Sequence, residues 1–399
     1  MTLNANVAAT RIDGKHLRRI FPLFAVAGVS LATVPACAQA TEFSATGHAY
    51  RVVTVAGGLD HPWGVAFLPG GDMLVTERPG RLRLVRKDGT VEPTPIAGVP
   101  EVFARGQGGL LDVALHPAYE QNQVVYLSYS KPGANGATTA VIRGRFDDTR
   151  LNNVEEIFEA KAWSPGGNHF GSRLVFDRDG YLFITVGDRG ARPELGAGTS
   201  HPAQDLSSHQ GTIIRLHDDG RVPGDNPFVG RAGALPEIWS YGHRSLQGLA
   251  LRPETGELWE TEHGPQGGDE LNKIEPALNY GWPVIGHGVQ YGGSQIHETT
   301  AREGMQQPVH YWVPSIATSG LAFYNGDIFP EWTGNAFVGG LAGQHLVRLV
   351  LRGDEVVATE KLLDGFGERI RDVRTGPDGF LYVLTDEDNG KLLRLEPTS

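Results

Sequence analysis

One phrase recurs along this 399-residue chain and limits the folds open to it: an apolar run, a turn rich in Pro, Asp, Asn and Gly, and a second apolar run. It stands at Gly64–Glu77 (GVAFLPGGDMLVTE), Asp112–Ser128 (DVALHPAYEQNQVVYLS) and Arg173–Gly187 (RLVFDRDGYLFITVG). It returns at Gly248–Thr261 (GLALRPETGELWET), Gly320–Gly339 (GLAFYNGDIFPEWTGNAFVG) and Asp372–Thr385 (DVRTGPDGFLYVLT). Short β-prone runs on either side of turn residues read as hairpins. A further strand-like run follows most copies, as at Leu82–Arg86, Thr212–Leu216, Leu346–Leu351 and Leu392–Glu396. Six such units predict an all-β fold, a six-bladed β-propeller with four-stranded antiparallel blades. A lone four-stranded sheet cannot bury both faces, whereas blades stacked around an axis bury each other and leave few open edges. Tyr50–Val55 (YRVVTV) lies outside any complete unit and is expected to close the ring by joining the last blade. One domain over residues 45–397 follows.

A net charge of −11 repels phosphate backbones and argues against nucleic acid as a partner. Cys37 is the sole cysteine, so neither an internal disulfide nor a thiolate metal site can form. Residues 1–40 read as a signal peptide: Arg11, Lys15, Arg18 and Arg19 precede an apolar run from Phe21 to Val34, then small-x-small cleavage sites at 36–38 and 38–40. That run is short for a bilayer span, so a periplasmic or secreted protein without stable membrane insertion is expected. Arg18-Arg19-Ile20-Phe21 resembles a twin-arginine signal, and an ordinary secretory route fits as well. Pro35 disfavours a lipid anchor on Cys37. Dinucleotide fingerprints, P-loops, HExxH and GxSxG are all missing from the sequence.

Polar residues recur just ahead of the innermost strand of successive units: Gln107, Asn168-His169, His243-Arg244 and Arg369-Ile370-Arg371. In a propeller these loops meet at one mouth of the central channel, which turns scattered polar residues into one candidate site. His169 suits a general base near neutral pH. Asp188 reads either as the acid that orients that imidazole or as a turn acid in GDRG. Arg369 and Arg371, two apart on an extended segment, point to one side and with Arg244 form either a polycarboxylate clamp or a solvated rim. Gly264-Pro265 leaves carbonyls free for a calcium ion. Asp269, Glu270 and the Tyr280 carbonyl offer a second calcium site, against the rival reading of acids capping a helix over residues 270–277. The acidic runs 177–180 and 386–390 lack a spaced glutamate and read as turns.

The segments GQGGLLDVALHP, NHFGSRLVFDRDGYLFITVGD, GHRSLQGLA, EHGPQGGDELN, NYGWP and RIRDVRTGPDG, in this order, resemble the soluble sugar dehydrogenases that use pyrroloquinoline quinone (PQQ). The likeness covers nearly all of the chain after residue 40. It implies His169 as general base toward the anomeric hydroxyl, Asp188 as its support, and Arg244 beside the reactive quinone carbonyl. It also implies Gln107 as a residue lining the sugar and quinone pocket, with Ser245, Arg369 and Arg371 as cofactor contacts. The Gly264 and Pro265 carbonyls would bind a quinone-associated calcium, and Glu270 with the Tyr280 carbonyl a structural one. Where the family usually carries a cofactor-pairing lysine, this chain has Ala342. The implied activity is oxidation of the C1 hydroxyl of an aldose to a lactone, with an external electron acceptor as partner. A calcium-dependent lactonase and a non-catalytic sugar- or protein-binding propeller are the alternatives.

Overall fold

The computed structural model describes residues 41–45, 48–195 and 200–398, so the expected signal peptide and its export and cleavage features lie outside the described residues. The chain opens with β1 (Thr41–Ala45) and β2 (His48–Leu59). The first blade follows: β3 (Pro62–Phe67), β4 (Met73–Glu77) and β5 (Arg81–Val85). The second holds β6 (Leu110–Leu115), β7 (Val124–Gly133), β8 (Gly136–Phe146) and β9 (Leu151–Glu159). The third holds β10 (Leu174–Phe176), β11 (Leu182–Val186), β12 (Thr212–Leu216) and β13 (Ile238–Tyr241). The fourth holds β14 (Leu246–Leu251), β15 (Leu258–Glu262), β16 (Asp269–Ile274) and β17 (His310–Trp312). The fifth holds β18 (Thr318–Phe323), β19 (Ala336–Gly340), β20 (His345–Arg352) and β21 (Glu355–Leu362). The last holds β22 (Ile370–Thr375), β23 (Leu381–Thr385) and β24 (Gly390–Pro397).

These six antiparallel sheets make a six-bladed β-propeller. β2 pairs with β24 along Tyr50↔Pro397 to Leu59↔Gly390, so the start of the described chain completes the last blade as expected, and β1 adds an outer fifth strand. The first blade has three named strands, and isolated bridges Val85↔Val91 and Leu82↔Ile96 stand in for its fourth. Residues 269–274 are strand, not the start of a helix, which removes the helix-cap reading of Asp269 and Glu270.

Burial explains the sequence pattern. β4, β11, β15, β19 and β23 are buried at every residue, since both faces of a second strand meet neighbouring blades. Such strands read as continuous apolar runs, whereas outer strand β21 is mostly exposed and polar. The innermost strands approach closely. A Cβ on Gly248 would lie 2.6 Å from the Ser319 carbonyl, and one on Gly320 would lie 2.3 Å from Asp372 Oδ1. An ionic knot ties the inner strands: Arg173 reaches Asp112 at 3.2 Å and Asp372 at 3.0 Å, and Arg374 reaches the same two acids at 3.1 and 3.0 Å. Arg173 also donates Nε–H to the Gln247 carbonyl at 2.7 Å and Nη2–H to the Arg371 carbonyl at 3.3 Å. The knot therefore supports the backbone from which two residues of the candidate site project.

Candidate active site

The loops leading into β6, β10, β14 and β22 carry Gln107, His169, Arg244 and Arg369. Gln107 joins two of them, its Oε1 accepting from the His169 backbone N–H at 2.8 Å. His169 sits at φ +49°, a left-handed conformation that costs energy in a non-glycine residue and is held here by its surroundings. Its Nδ1 lies 2.6 Å from Asp188 Oδ1.

Asp188 is 1% exposed, and its remaining capacity is spent: Oδ1 accepts from Gly190 N–H and Oδ2 from Trp282 Nε1–H, each at 2.8 Å. Burial, the largest influence, pushes its carboxyl upward, but His169, Arg244 and His201 outweigh burial and hold it below the ordinary Asp value. An ionised carboxylate only accepts, so Nδ1 carries the hydrogen and Nε2 keeps the lone pair. The turn-acid reading of Asp188 therefore yields to the imidazole partner. His169 lines an open cleft of ≈ 1270 Å³ together with Gln107, Arg244, Pro265, Trp282 and Tyr291.

Arg244 stands between this cleft and a smaller cavity of ≈ 300 Å³. Its Nη1 donates to the carbonyls of His263 at 2.9 Å and Gly264 at 2.8 Å, and its guanidinium carbon lies 5.2 Å from the Trp282 ring centroid. The smaller cavity gathers all four expected metal residues, Gly264, Pro265, Glu270 and Tyr280, and adds Glu262. Two carboxylates and backbone carbonyl oxygens, that of Gly264 shared with Arg244, form a hard donor set that suits calcium. Asp269 does not join them. Its oxygens accept from Gly264 N–H, Ser315 Oγ–H, and the Ile316 and Thr318 N–H groups.

A third cavity of ≈ 460 Å³ is lined by Trp63, Gln107, Gln247, His263, Arg369 and Arg371. It shares Gln107 with the cleft and His263 with the metal-side cavity, so His169 and the three arginines meet at one mouth. Arg371 donates to Gln247 Oε1 at 3.1 Å and pairs with Asp386, which also meets His61 Nδ1 at 2.9 Å and Arg369 at 3.8 Å. Burial pushes Asp386 up, but Arg371, His61 and Arg369 hold it well below the carboxylate range. Asp386 is thus a partner of the arginines rather than a simple turn residue. Asp177 is the turn acid expected, accepting from the N–H groups of Asp179 and Tyr181.

Ser245 is fully buried, 3.4 Å from Gln247 Nε2, and lines none of these three cavities; its contact with the site runs through Gln247. Ala342 is exposed in the turn after cavity-lining Leu341 and brings no ammonium there.

The Glucose / Sorbosone dehydrogenase family profile matches residues 59–394. The chain belongs to this family. It is 47% identical over 345 residues to the aldose sugar dehydrogenase YliI of Escherichia coli, covering 85% of this chain and 91% of the relative. A crystallised glucose dehydrogenase superposes with a TM-score of 0.82 at 50% identity, over 87% of this chain and 99% of the other. The PQQ-bound form of an aldose sugar dehydrogenase from Streptomyces coelicolor superposes with a TM-score of 0.69 at 31% identity, over 86% and 98%.

Within this family member, Trp282, Trp63 and Glu260 went unmarked by sequence reasoning, and Asp386 was read only as part of a turn. Trp282 and Asp386 act through partners 94 and 15 residues away, a pairing no local pattern encodes. Glu260 did leave a signal. It alternates with Glu262 in the otherwise apolar second-strand position, and charges there need a reason.

Proposed function

We propose that this chain oxidises the C1 hydroxyl of aldoses to lactones, with calcium-bound PQQ as cofactor. The observation that carries this reading is the His169–Asp188 pair facing the same cleft as Arg244. His169 Nε2 takes the proton of the anomeric hydroxyl, and Asp188 stabilises the imidazolium that forms. Trp282 and Gly190 keep Asp188 oriented through their N–H groups. His263 cannot compete for the proton: burial first, then Arg244, His169 and Arg371, depress it to about 3.

The arginines give the pocket its match to a flat polycarboxylate. Arg369 and Arg371 would hold the cofactor's carboxylates, Arg244 would stand beside its reactive carbonyl, and Gln107 would line the pocket shared by sugar and cofactor. The Gly264 and Pro265 carbonyls would hold the quinone-associated calcium, and Glu270 with the Tyr280 carbonyl the structural one. The Gly264 carbonyl has two lone pairs, so it would serve the ion while still accepting from Arg244. Bound quinone supplies the acceptor for the hydride leaving C1, with calcium as the polarising Lewis acid. We place the enzyme in the periplasm or outside the cell, with an external electron acceptor as its redox partner. The PQQ-bound relative supports this assignment of cofactor.

The test adds calcium and PQQ to the apoprotein and follows dye reduction across a panel of aldoses. Sugar-dependent reduction that His169→Ala abolishes is expected. Absence of reduction with every sugar removes the proposal, and acid release from a lactone without any acceptor would point to the lactonase instead.

A further inference from the structure

The residue that follows Asp188 is a buried cation without a carboxylate of its own. Arg189 is 3% exposed, and among the described residues no carboxylate lies within ion-pair distance of its guanidinium; Asp188 turns instead to His169 and His201. Burial, opposed by the charge of Asp188, pulls Arg189 down to about 10, so it stays cationic at neutral pH. An interior charge of this kind costs stability, and an apolar side chain of similar size would serve packing alone at less cost.

Its contacts give the reason for it. Nη1 donates to the Asn168 carbonyl, and Nη2 donates to the Gly166 carbonyl at 3.1 Å and reaches the Ala137 carbonyl of β8 at 3.5 Å. The guanidinium carbon lies 3.4 Å from the centroid of the Phe170 ring, a desolvated cation–π contact, and Nε has no hydrogen-bond partner. One side chain therefore grips the residues on both sides of His169. That segment needs a grip: His169, Gly171 and Ser172 lie at φ +49°, +71° and +84°, and two of the three are not glycine. Arg189 reaches it from a tight turn after β11, closed by Ala191 N–H on the Asp188 carbonyl at 3.2 Å, with φ +60° at Arg189 and +71° at Gly190. Two consecutive side chains thus address one histidine, Asp188 its ring and Arg189 the backbone that carries it. Phe170 also lines the ≈ 460 Å³ cavity with Gln107, Arg369 and Arg371, so the same grip sets a wall of the cofactor side.

We propose that Arg189 is the positioning residue of the general base: it locks the 166–170 loop so that His169 Nδ1 stays on Asp188 and Nε2 faces the cleft. The role it serves rests on the dehydrogenase reading, but the geometry it maintains exists without quinone or sugar. Displacing a proton acceptor by about 1 Å costs roughly 10²-fold in rate.

The experiment compares Arg189→Met and Arg189→Lys with the unsubstituted full chain, each reconstituted with calcium and PQQ. Met fills space but donates nothing, whereas Lys keeps the charge without the planar fork that spans two carbonyls. We expect kcat to fall by roughly 10²-fold in Arg189→Met with little change in KM for the sugar, and by less in Arg189→Lys. A second measurement needs no turnover. The proton on His169 Nδ1, bonded to Asp188, should give a downfield proton NMR resonance in the chain without cofactor, identified by its loss in His169→Ala. It should broaden or vanish in Arg189→Met and survive in part in Arg189→Lys. Unchanged kcat in Arg189→Met, or a loss carried by KM alone, overturns the proposal. So does a resonance that persists unaltered in a variant whose kcat has fallen, since the base would then still be in place, and so does its absence from the unsubstituted chain. If the unsubstituted chain oxidises no sugar, the dehydrogenase reading fails while the resonance still decides the role of Arg189. Should Arg189→Met not fold, Arg189→Lys decides on the same terms.

Discussion

At the scale of single residues, the chemistry depends on which of several neighbouring histidines can accept a proton. His169 has an ionised carboxylate on Nδ1 and a cleft before it, while His263 is buried among cationic groups with its Nε2–H committed to the Thr318 carbonyl at 2.6 Å. Asp188→Asn keeps the shape of the pair but removes the charge that stabilises the imidazolium. We expect kcat to fall by about 10²–10⁴-fold with a small change in KM for the sugar, read in the dye assay. His263 makes a separate prediction about stability. Its folded value of about 3 lies below the ordinary 6.5, so the unfolded chain binds the proton first as pH falls. Stability held above pH ~6.5 is therefore lost on acidification toward 3, by at most about 1.4 kcal/mol per pH unit from this group. His263→Gln retains a donor for Thr318 but does not titrate. Urea midpoints between pH 7.5 and 5 should drop less for His263→Gln than for the unsubstituted protein; equal drops would show that other groups account for the acid sensitivity.

At the scale of elements, the sequence makes the hairpins legible because the inner pairs, apart from β6–β7 and β18–β19 with their longer connections, have a short turn and a buried second strand. Those properties are local, and Gly248–Thr261 shows them: its turn and apolar run become β14 and β15 within two residues. The run 386–390 is the turn expected between β23 and β24, but the role of Asp386 within it was not legible because its partners, Arg371 and His61, come from elsewhere in the chain. A capped helix over 270–277 stood as the rival reading there because Asp and Glu preceding Leu satisfy that pattern too; pairing of 269–274 with β15 decides for a strand. Small residues on the inner strands were also readable, and the structure gives the cause as close blade contact. Gly248→Ala would push a methyl 2.6 Å from the Ser319 carbonyl and 2.4 Å from Thr261 Oγ1. Neither φ strain nor lost flexibility is the main effect there. Because one obstacle is backbone of the next blade, we expect a loss of about 1–3 kcal/mol in urea unfolding. A neutral Gly248→Ala would mean the blades can separate by several tenths of an ångström at no cost.

At the scale of the whole molecule, the ring brings together residues that no reading of adjacent positions would pair. The convergence of Gln107, His169, Arg244, Arg369 and Arg371 on one mouth was foreseeable from topology, since each precedes an innermost strand. The support beneath them was not, because Asp112, Arg173, Asp372 and Arg374 lie in three different blades and sit in motifs that read as ordinary strand. Their knot has two acids and two bases, with Arg173 1% exposed, Asp112 0% and Asp372 1%. Replacing Arg173 with Met leaves two buried carboxylates to Arg374 alone, which is expected to cost about 3–5 kcal/mol. The same change frees the Gln247 and Arg371 carbonyls of their donor, so cofactor affinity should weaken along with stability. Combining Asp112→Asn with Arg173→Met restores charge balance and should recover part of the stability, a coupling that separate, independent sites would not show. The buried pair should also be nearly indifferent to ionic strength, because salt screens surface charges far more than interior ones. Urea midpoints measured at 0.1 and 1 M NaCl therefore test the assignment: additive losses in the double variant, or a knot whose contribution fades in high salt, would place these four groups at the surface of the folding problem rather than at its centre.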